Sequence, residues 1–243
     1  MIEEDAEFAE AVRVRLGAGG PPDVGVCGCC GQAQLDSSGA HASCCALGEA
    51  TAGHAAVRDS IFECASAADP SAEWEPVDLI PSRPRARPAD VLTPAAIPGR
   101  VAALDVGITS PAVSLLRDAA EDMFRCKTGE REDSRAELEA QNIVYRPIVW
   151  TCFGRPHGAA ESTLRAIARR AARRRGRTAA KAVLCQLRLA MSVCLARRAA
   201  RMSLACWPRG AQPGVDEVAA SAAAKHFDAD PRADVDHGRE LWF

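Results

Sequence analysis

Two aspartates stand where carboxylates are costly. In "RPADVLTPAAIPGRVAALDV", residues 87–106, Asp90 follows Arg-Pro-Ala, fourteen residues intervene, and Asp105 then sits inside an apolar run. A carboxylate buried without a partner costs several kcal/mol or takes up a proton, so such a residue is normally paired or bound to a cation. The midpoint of the two positions falls within "PAAIPG", a string of turn formers. A symmetric hairpin of 88–93 and 101–109 about that loop would make Asp90 and Asp105 direct cross-strand neighbours, with Cβ atoms about 5 Å apart. On the second strand Leu104, Val106 and Ile108 would point one way, and Val101, Ala103, Asp105, Gly107 and Thr109 the other. Opposed like charges destabilise a hairpin unless a cation lies between them, and a hard divalent ion such as Mg²⁺ suits two carboxylates. Solvated aspartates on an exposed hairpin, or pairs with Arg87 or Arg100, satisfy the same spacing.

A second constellation is "CGCCGQAQLDSSGAHASCC", 27–45, with five cysteines and one histidine in nineteen residues. Cys27-x2-Cys30, ten residues, then His41-x3-Cys45 is the donor set of a tetrahedral Cys₃His zinc site. The segment holds almost no large apolar residues, so bound metal would supply its folding energy. Cys29 and Cys44 are adjacent competitors that leave the ligand register open by one residue.

Charge is the third signal. The net charge is −2, yet the window from Arg165 to Arg201 contains twelve Arg or Lys and no Asp or Glu. "RAIARRAARRRGR" places Arg165, Arg169, Arg170, Arg173, Arg174, Arg175 and Arg177 where they could meet backbone phosphates, without a motif that reads bases. A solubilising arginine face and a nuclear localisation signal share that composition. The N-terminal "MIEEDAEFAEAVRVRLG" is acidic and amphipathic, unlike a secretory signal, and the best apolar run, 182–206, is broken by Arg188, Arg197 and Arg198. The expectation is a reduced intracellular protein with no membrane segment, its cysteines metal ligands or core fillers.

The elements that must position these groups follow from periodicity. A short helix is expected over 5–16, ended by "GAGGPPD". A second runs from Gly53 to about Ala68, with Val57, Ile61 and Cys64 at helical spacing. Extended segments are expected at 75–80, 88–93 and 101–109, the last two joined by "PAAIPG". Helix follows over 112–141, interrupted near "KTGERED", then the β-branched and aromatic strand 142–153, then helices 158–175 and 178–205 separated by Gly176. Beyond Trp207 the composition predicts a flexible tail.

Taken in order, Cys-x2-Cys…His-x3-Cys, "RPAD", fourteen residues and "LDV" resemble the C-terminal region of site-specific non-LTR retrotransposon polyproteins, where a zinc knuckle precedes a restriction-endonuclease-like domain with a (K/R)PD-x12–14-D signature. "HAAVRDSI" (54–61), "ALDVGITSP" (103–111) and "VYRPIVWTCFGRPH" (144–157) are similar to that family's segments. The resemblance implies an α/β fold with a PD-(D/E)xK core of helix, three strands, helix and strand. The implied organisation is an N-terminal helix and linker (1–24), a zinc knuckle (25–50), an endonuclease-like core (53–157), a basic helical extension (158–206) and a tail (207–243). It further implies structural Zn²⁺, catalytic Mg²⁺ on Asp90 and Asp105, and a lysine displaced onto the following helix. Lys127 is the only lysine before Lys181; it takes that role or is a solvated helix lysine. His157 is a second base, a phosphate ligand or a helix cap, and His54 and Asp59 could border the site. The chain departs from the signature at Ala89, between Pro88 and Asp90, and at "DVGI", where Gly107 occupies the position of a compact site's lysine. The implied partner is DNA, with element RNA an addition, in the nucleus; no polymerase motif occurs, so the polymerase would lie elsewhere. A non-catalytic zinc-stabilised nucleic-acid-binding module, or a degenerate remnant, is the alternative.

Overall fold

The β-branched run 101–109 forms the strand around which everything else is laid. In the computed structural model, which describes residues 2–16, 25–35, 39–110, 118–176 and 179–208, the chain runs α1 (Ile2–Arg15), α2 (Ala42–Cys45), α3 (Leu47–Ala68), β1 (Glu73–Trp74), β2 (Val91–Ile97), β3 (Arg100–Thr109), α4 (Ala119–Glu130), a 3₁₀ turn (Glu132–Ser134), α5 (Arg135–Ala140), β4 (Ile143–Thr151), α6 (Gly158–Arg174) and α7 (Ala180–Cys206). One mixed sheet has the order β1-β2-β3-β4. The first two pairings are antiparallel and β3 with β4 is parallel, so β4 must return through a crossover, here α4 and α5.

Side-chain alternation on β3 divides the core as expected. Ala102, Leu104 and Val106 pack with α3, α6 and α7, whereas Ala103 packs with Leu79, Ile80 and Leu138 on the opposite face. Asp105 falls on the second face by the same period of two.

The β2–β3 connection differs from the expected loop. "PAAI" is part of β2, and the turn is the two residues Pro98 and Gly99, closed by Ile97 opposite Arg100. Gly99 has φ +71, a left-handed value that tight hairpin turns demand and glycine adopts without steric cost. The register then shifts between Thr93 and Ile97, around Pro94, which has no N–H to give the ladder. Below this bulge Val91 lies opposite Leu104. The ladder stops there: the Asp90 N–H also bonds Leu104 O, at 2.8 Å, so the register does not run on to set Asp90 against Asp105. The expected symmetric loop is replaced by a short turn plus a bulge, and the direct Asp90–Asp105 pair expected from it is not among the pairs formed.

The expected strand at 75–80 is not formed. Glu75 and Asp78 have φ +43 and +62, which break an extended chain, and β1 is confined to Glu73–Trp74. Elsewhere the boundaries move outward: α3 starts at Leu47, and α4 ends at Glu130, beside Gly129, before a 3₁₀ turn. The part of the predicted helix at 111–117 lies outside the described residues, as does the predicted tail from 209 onward. Trp207 and Pro208 belong to the body: Trp207 is buried, and a Cβ on Gly28 would stand 2.3 Å from its carbonyl oxygen.

Helices α6 and α7, expected as an extension, are core elements. Leu164, Ile167, Ala168 and Ala171 of α6, and Val183, Leu187, Met191 and Leu195 of α7, are buried with the sheet residues. The four on α7 recur every fourth residue, which keeps them on one face. Helix α1 lies on α7 through the buried Glu10–Arg13 pair, Arg13 to Ser203 at 3.2 Å, and Glu7 with Arg197 and Arg201. Among the described residues no helix is long and apolar enough to cross a membrane.

Leu164→Ala should therefore lower stability by about 2–5 kcal/mol, as deletion from a packed core does, while Leu189→Ala on the solvent side of α7 should change it by less than about 0.5 kcal/mol. Chemical denaturation midpoints of the two variants check this; equal midpoints would mean that α6 is not part of the core.

Candidate functional site

Lys127 and Asp105 meet. The ammonium, carried by α4, donates to Oδ1 of Asp105 at 2.9 Å, both side chains being mostly buried. The other oxygen, Oδ2, accepts from the hydroxyl of Tyr145 on β4. Asp105 sits on β3 opposite Pro147, and Tyr145 opposite Ala103, so the parallel register brings the phenol to the carboxylate from the next strand. Burial, and then the Asp105 charge, push the Tyr145 hydroxyl well above its ordinary pKa, so it stays protonated and donates.

Gly107 is what lets the lysine in. A Cβ at that position would lie 2.9 Å from Lys127 Cε and 2.9 Å from Met123 Sδ. The glycine found where a compact D-x-K site carries its lysine therefore leaves the space that Lys127 crosses from α4.

Asp90 lies at the start of β2. Its N–H donates to Leu104 O at 2.8 Å, and its Oδ2 accepts from Val106 N–H at 2.7 Å. His54 on α3 turns Nε2 toward Val106 O at 3.3 Å and Asp90 Oδ2 at 3.5 Å. Both neighbours are acceptors, so Nε2 carries a hydrogen. Beyond the start of β2 the backbone of Val106 has no further ladder partner on that side, and Asp90 and His54 satisfy its N–H and C=O. Burial alone would raise the Asp90 pKa; the hydrogen bond and charge of His54, the Val106 N–H and the charge of Lys127 outweigh it, so Asp90 is ionised at neutral pH. The Asp90 hydrogen bond in turn raises the His54 pKa against the effect of burial. Lys127 thus acts on both carboxylates at once. Oδ1 of Asp90 takes no hydrogen bond among the described residues, which leaves it open to a further cation or donor.

The other sequence candidates fall outside this cluster. Asp59 binds Arg58 and the indole N–H of Trp74. His157 caps α6, accepting from Ala159 N at Nδ1, while its Nε2 meets Glu121 at 2.8 Å and its ring stacks on Phe124; it is a helix cap. Arg87 pairs with Glu75, not with either aspartate. Tyr145, the only tyrosine in the chain, was not singled out by the sequence. Its hydroxyl reaches Asp105 only through the β3–β4 register, which no local pattern encodes.

The Cys/His constellation converges. One ligand atom each from Cys27, Cys30, His41 and Cys45 all lie within 4.8 Å of one another. Cys27 and Cys45 sulfurs are 3.8 Å apart, and Cys30 Sγ is 3.5 Å from His41 Nε2. A tetrahedron with Zn–S bonds of about 2.3 Å has S···S edges of about 3.8 Å, so the donor set and spacing fit zinc. Cys29 and Cys44 are exposed and outside the set, which fixes the register left open by the sequence. The backbone N–H groups of Ala33 and Gln32 lower the Cys30 pKa to about 6, whereas burial and then the Cys27 and Cys30 sulfurs push Cys45 to about 12. A metal must expel the remaining protons to bind. The knuckle rests on the end of α7, where Cys27, Leu35, Ala42 and Ala46 pack against Met202 and Cys206.

The basic segment is partly neutralised, contrary to its composition. Glu161 takes Arg165 and Arg188, Asp69 takes Arg170, and Glu7 takes Arg197 and Arg201. These acids lie outside the window in sequence but against it in space. Arg169, Arg173, Arg174 and Arg175 remain exposed without an ion pair among the described residues; Arg177 lies outside them.

Two measurements check these sites. Elemental analysis should find one zinc per chain, lost in Cys27→Ser and His41→Ala and kept in Cys29→Ser and Cys44→Ser; a ratio well below one in the wild type rejects the centre. Gly107→Ala should drive Lys127 away from Asp105 and destabilise the fold by about 1–3 kcal/mol, the cost of overpacking; an unchanged denaturation midpoint would mean that the space is not needed. No protein-family model, no curated protein and no solved structure matches the chain, so the reading of both sites rests on their geometry.

Proposed function

We propose that this chain is a Mg²⁺-dependent DNA-nicking domain of the restriction-endonuclease-like type, the C-terminal part of a retroelement protein whose polymerase lies elsewhere. One observation carries the reading: Lys127, with its ammonium 2.9 Å from Asp105, also lends its charge to Asp90, which it helps to keep ionised. Two carboxylates, one of them the ionised and partly open Asp90, and one ammonium are the groups that phosphodiester hydrolysis requires. The order of helix, three strands, helix and strand supports the same assignment.

In this reading Asp90 and Asp105 would hold the cation, with the open Oδ1 of Asp90 and the remaining lone pairs of Asp105 as oxygen donors. The ion, when bound, would polarise the scissile phosphate and acidify a water. Lys127 places fixed positive charge where negative charge grows on the phosphate oxygens. Tyr145, held protonated, fixes the rotamer of Asp105 and leaves its oxygens oriented. Arg169, Arg173 and Arg174 of α6 and Arg175 just after it, without an ion pair among the described residues, would contact backbone phosphates, giving salt-sensitive binding without base reading. The knuckle serves as a structural staple against α7. Nuclear residence, and element RNA as an additional partner, belong to the same proposal.

A second reading has its own observation. Asp105 is satisfied by Lys127 and Tyr145, and Asp90 by Val106 and His54, as in a non-catalytic, zinc-stabilised nucleic-acid-binding module. A supercoiled-plasmid assay with zinc-loaded protein and Mg²⁺ separates the two. The nicking domain predicts open-circle product from the wild type and a loss of about 10²-fold or more in Asp105→Ala and Lys127→Met. Nicking that survives either substitution, or is absent from the wild type, overturns it in favour of the binding module.

A further inference from the structure

The sheet edge beside Asp90 carries a ring that the cluster does not use. Trp74 closes β1, pairs with Val91, and so stands one ladder position from Asp90. It is 48% exposed, whereas Trp150 and Trp207 are buried. Its plane is fixed on two sides: the indole N–H donates to Asp59 Oδ1 at 3.1 Å, and the Arg58 guanidinium lies over the ring, 4.4 Å from its centroid. Arg58 is itself held by Asp59 and Glu75, and Glu75 also takes Arg87. Glu75 keeps a left-handed φ of +43, a conformation that costs a non-glycine residue free energy and persists where the surroundings over-determine it. Its N–H donates to the main-chain carbonyl of Asp90 at 2.8 Å, so the strained link ties the ring to the backbone that carries the carboxylate. On α3, His54 and Arg58 are one turn apart and share a face, the first turned to Asp90 and the second to the indole.

We propose that Trp74 is a stacking platform for an unpaired nucleobase adjoining the phosphate that the Asp90–Asp105–Lys127 cluster faces. A rigid indole backed by a guanidinium, with nearly half its surface in solvent, can take a base whatever its identity, because every base has a π face. Bases inside a duplex are already stacked on one another, so the ring favours single-stranded or locally opened DNA. The inference rests on the nucleic-acid part of the proposed function and not on cleavage.

The test compares a dT12 oligonucleotide with an abasic oligomer of the same length and charge, each 3′-labelled with fluorescein. Binding is followed by anisotropy on the full zinc-loaded chain with Mg²⁺ omitted, and repeated in Asp105→Ala. The platform predicts that wild type prefers dT12 by about tenfold, one stacked base. The preference should vanish in Trp74→Ala and persist in part in Trp74→Phe. Unlabelled dT12 should also quench tryptophan emission in the wild type more than in Trp74→Phe. Equal binding of the two oligomers by wild type, or a preference that survives Trp74→Ala, overturns the platform alone. Failure to bind either oligomer overturns it together with the DNA-binding function.

Discussion

The ammonium of Lys127 reaches Asp105 across the bare backbone of Gly107, and the arrangement of the sheet's polar end depends on that crossing. Without the lysine, Asp105 would be a mostly buried carboxylate held by one phenol, a costly state. With a Cβ in place of the glycine, the ends of Lys127 and Met123 would have to shift from where they now lie. Asp90 is then drawn into the same field, since the charge of Lys127 helps to keep it ionised. Three charged groups from β2, β3 and α4, and a hydroxyl from β4, are in this way coupled through one side chain. His54 adds a fifth contribution from the opposite helical layer, through the strand end that Asp90 caps.

The Cys/His centre solves a different problem. Residues 25–35 and 39–46 bring few large apolar side chains, and what they bury is the base of the knuckle against Met202 and Cys206. Backbone contacts complete the seat, Gly28 N–H donating to Cys206 O at 2.9 Å. The end of α7 is thereby clasped by the Cys/His segment, while its middle packs on the sheet and its outer face receives α1. Ligand binding energy at the knuckle would be transmitted to the helix that closes the core.

Much of this was legible in the sequence where the signal was local. The period of two in 101–109 gave the face of Asp105, and the spacing of Cys27, Cys30, His41 and Cys45 gave the ligand set to within the adjacent Cys29 and Cys44. The direct Asp90–Asp105 pair was anticipated through a loop that does not exist: a shorter turn and a bulge at Pro94 take its place, and Asp90 bonds Leu104 O instead of continuing the ladder to Asp105. Lys127 was identified by position, but its path over Gly107 was not, because that requires the packing of α4 on β3. What escaped entirely depends on contacts distant in sequence. Tyr145 needs the parallel β3–β4 register, and the acids that neutralise the arginines come from α1, from the start of α6 and from the end of α3. The failed strand at 75–80 shows the limit of propensity, since the apolar Val77, Leu79 and Ile80 there are overruled by positive φ at Glu75 and Asp78.

The proposed function requires that Asp90 and Asp105, both under the charge of Lys127, act as one cation-binding unit. Titration of the zinc-loaded chain with Mn²⁺, followed by electron paramagnetic resonance, tests it most directly. The account predicts one bound Mn²⁺ per chain, displaced by Mg²⁺ and abolished by either Asp90→Asn or Asp105→Asn. Binding that is indifferent to either substitution, or no binding by a folded wild-type chain, would contradict it.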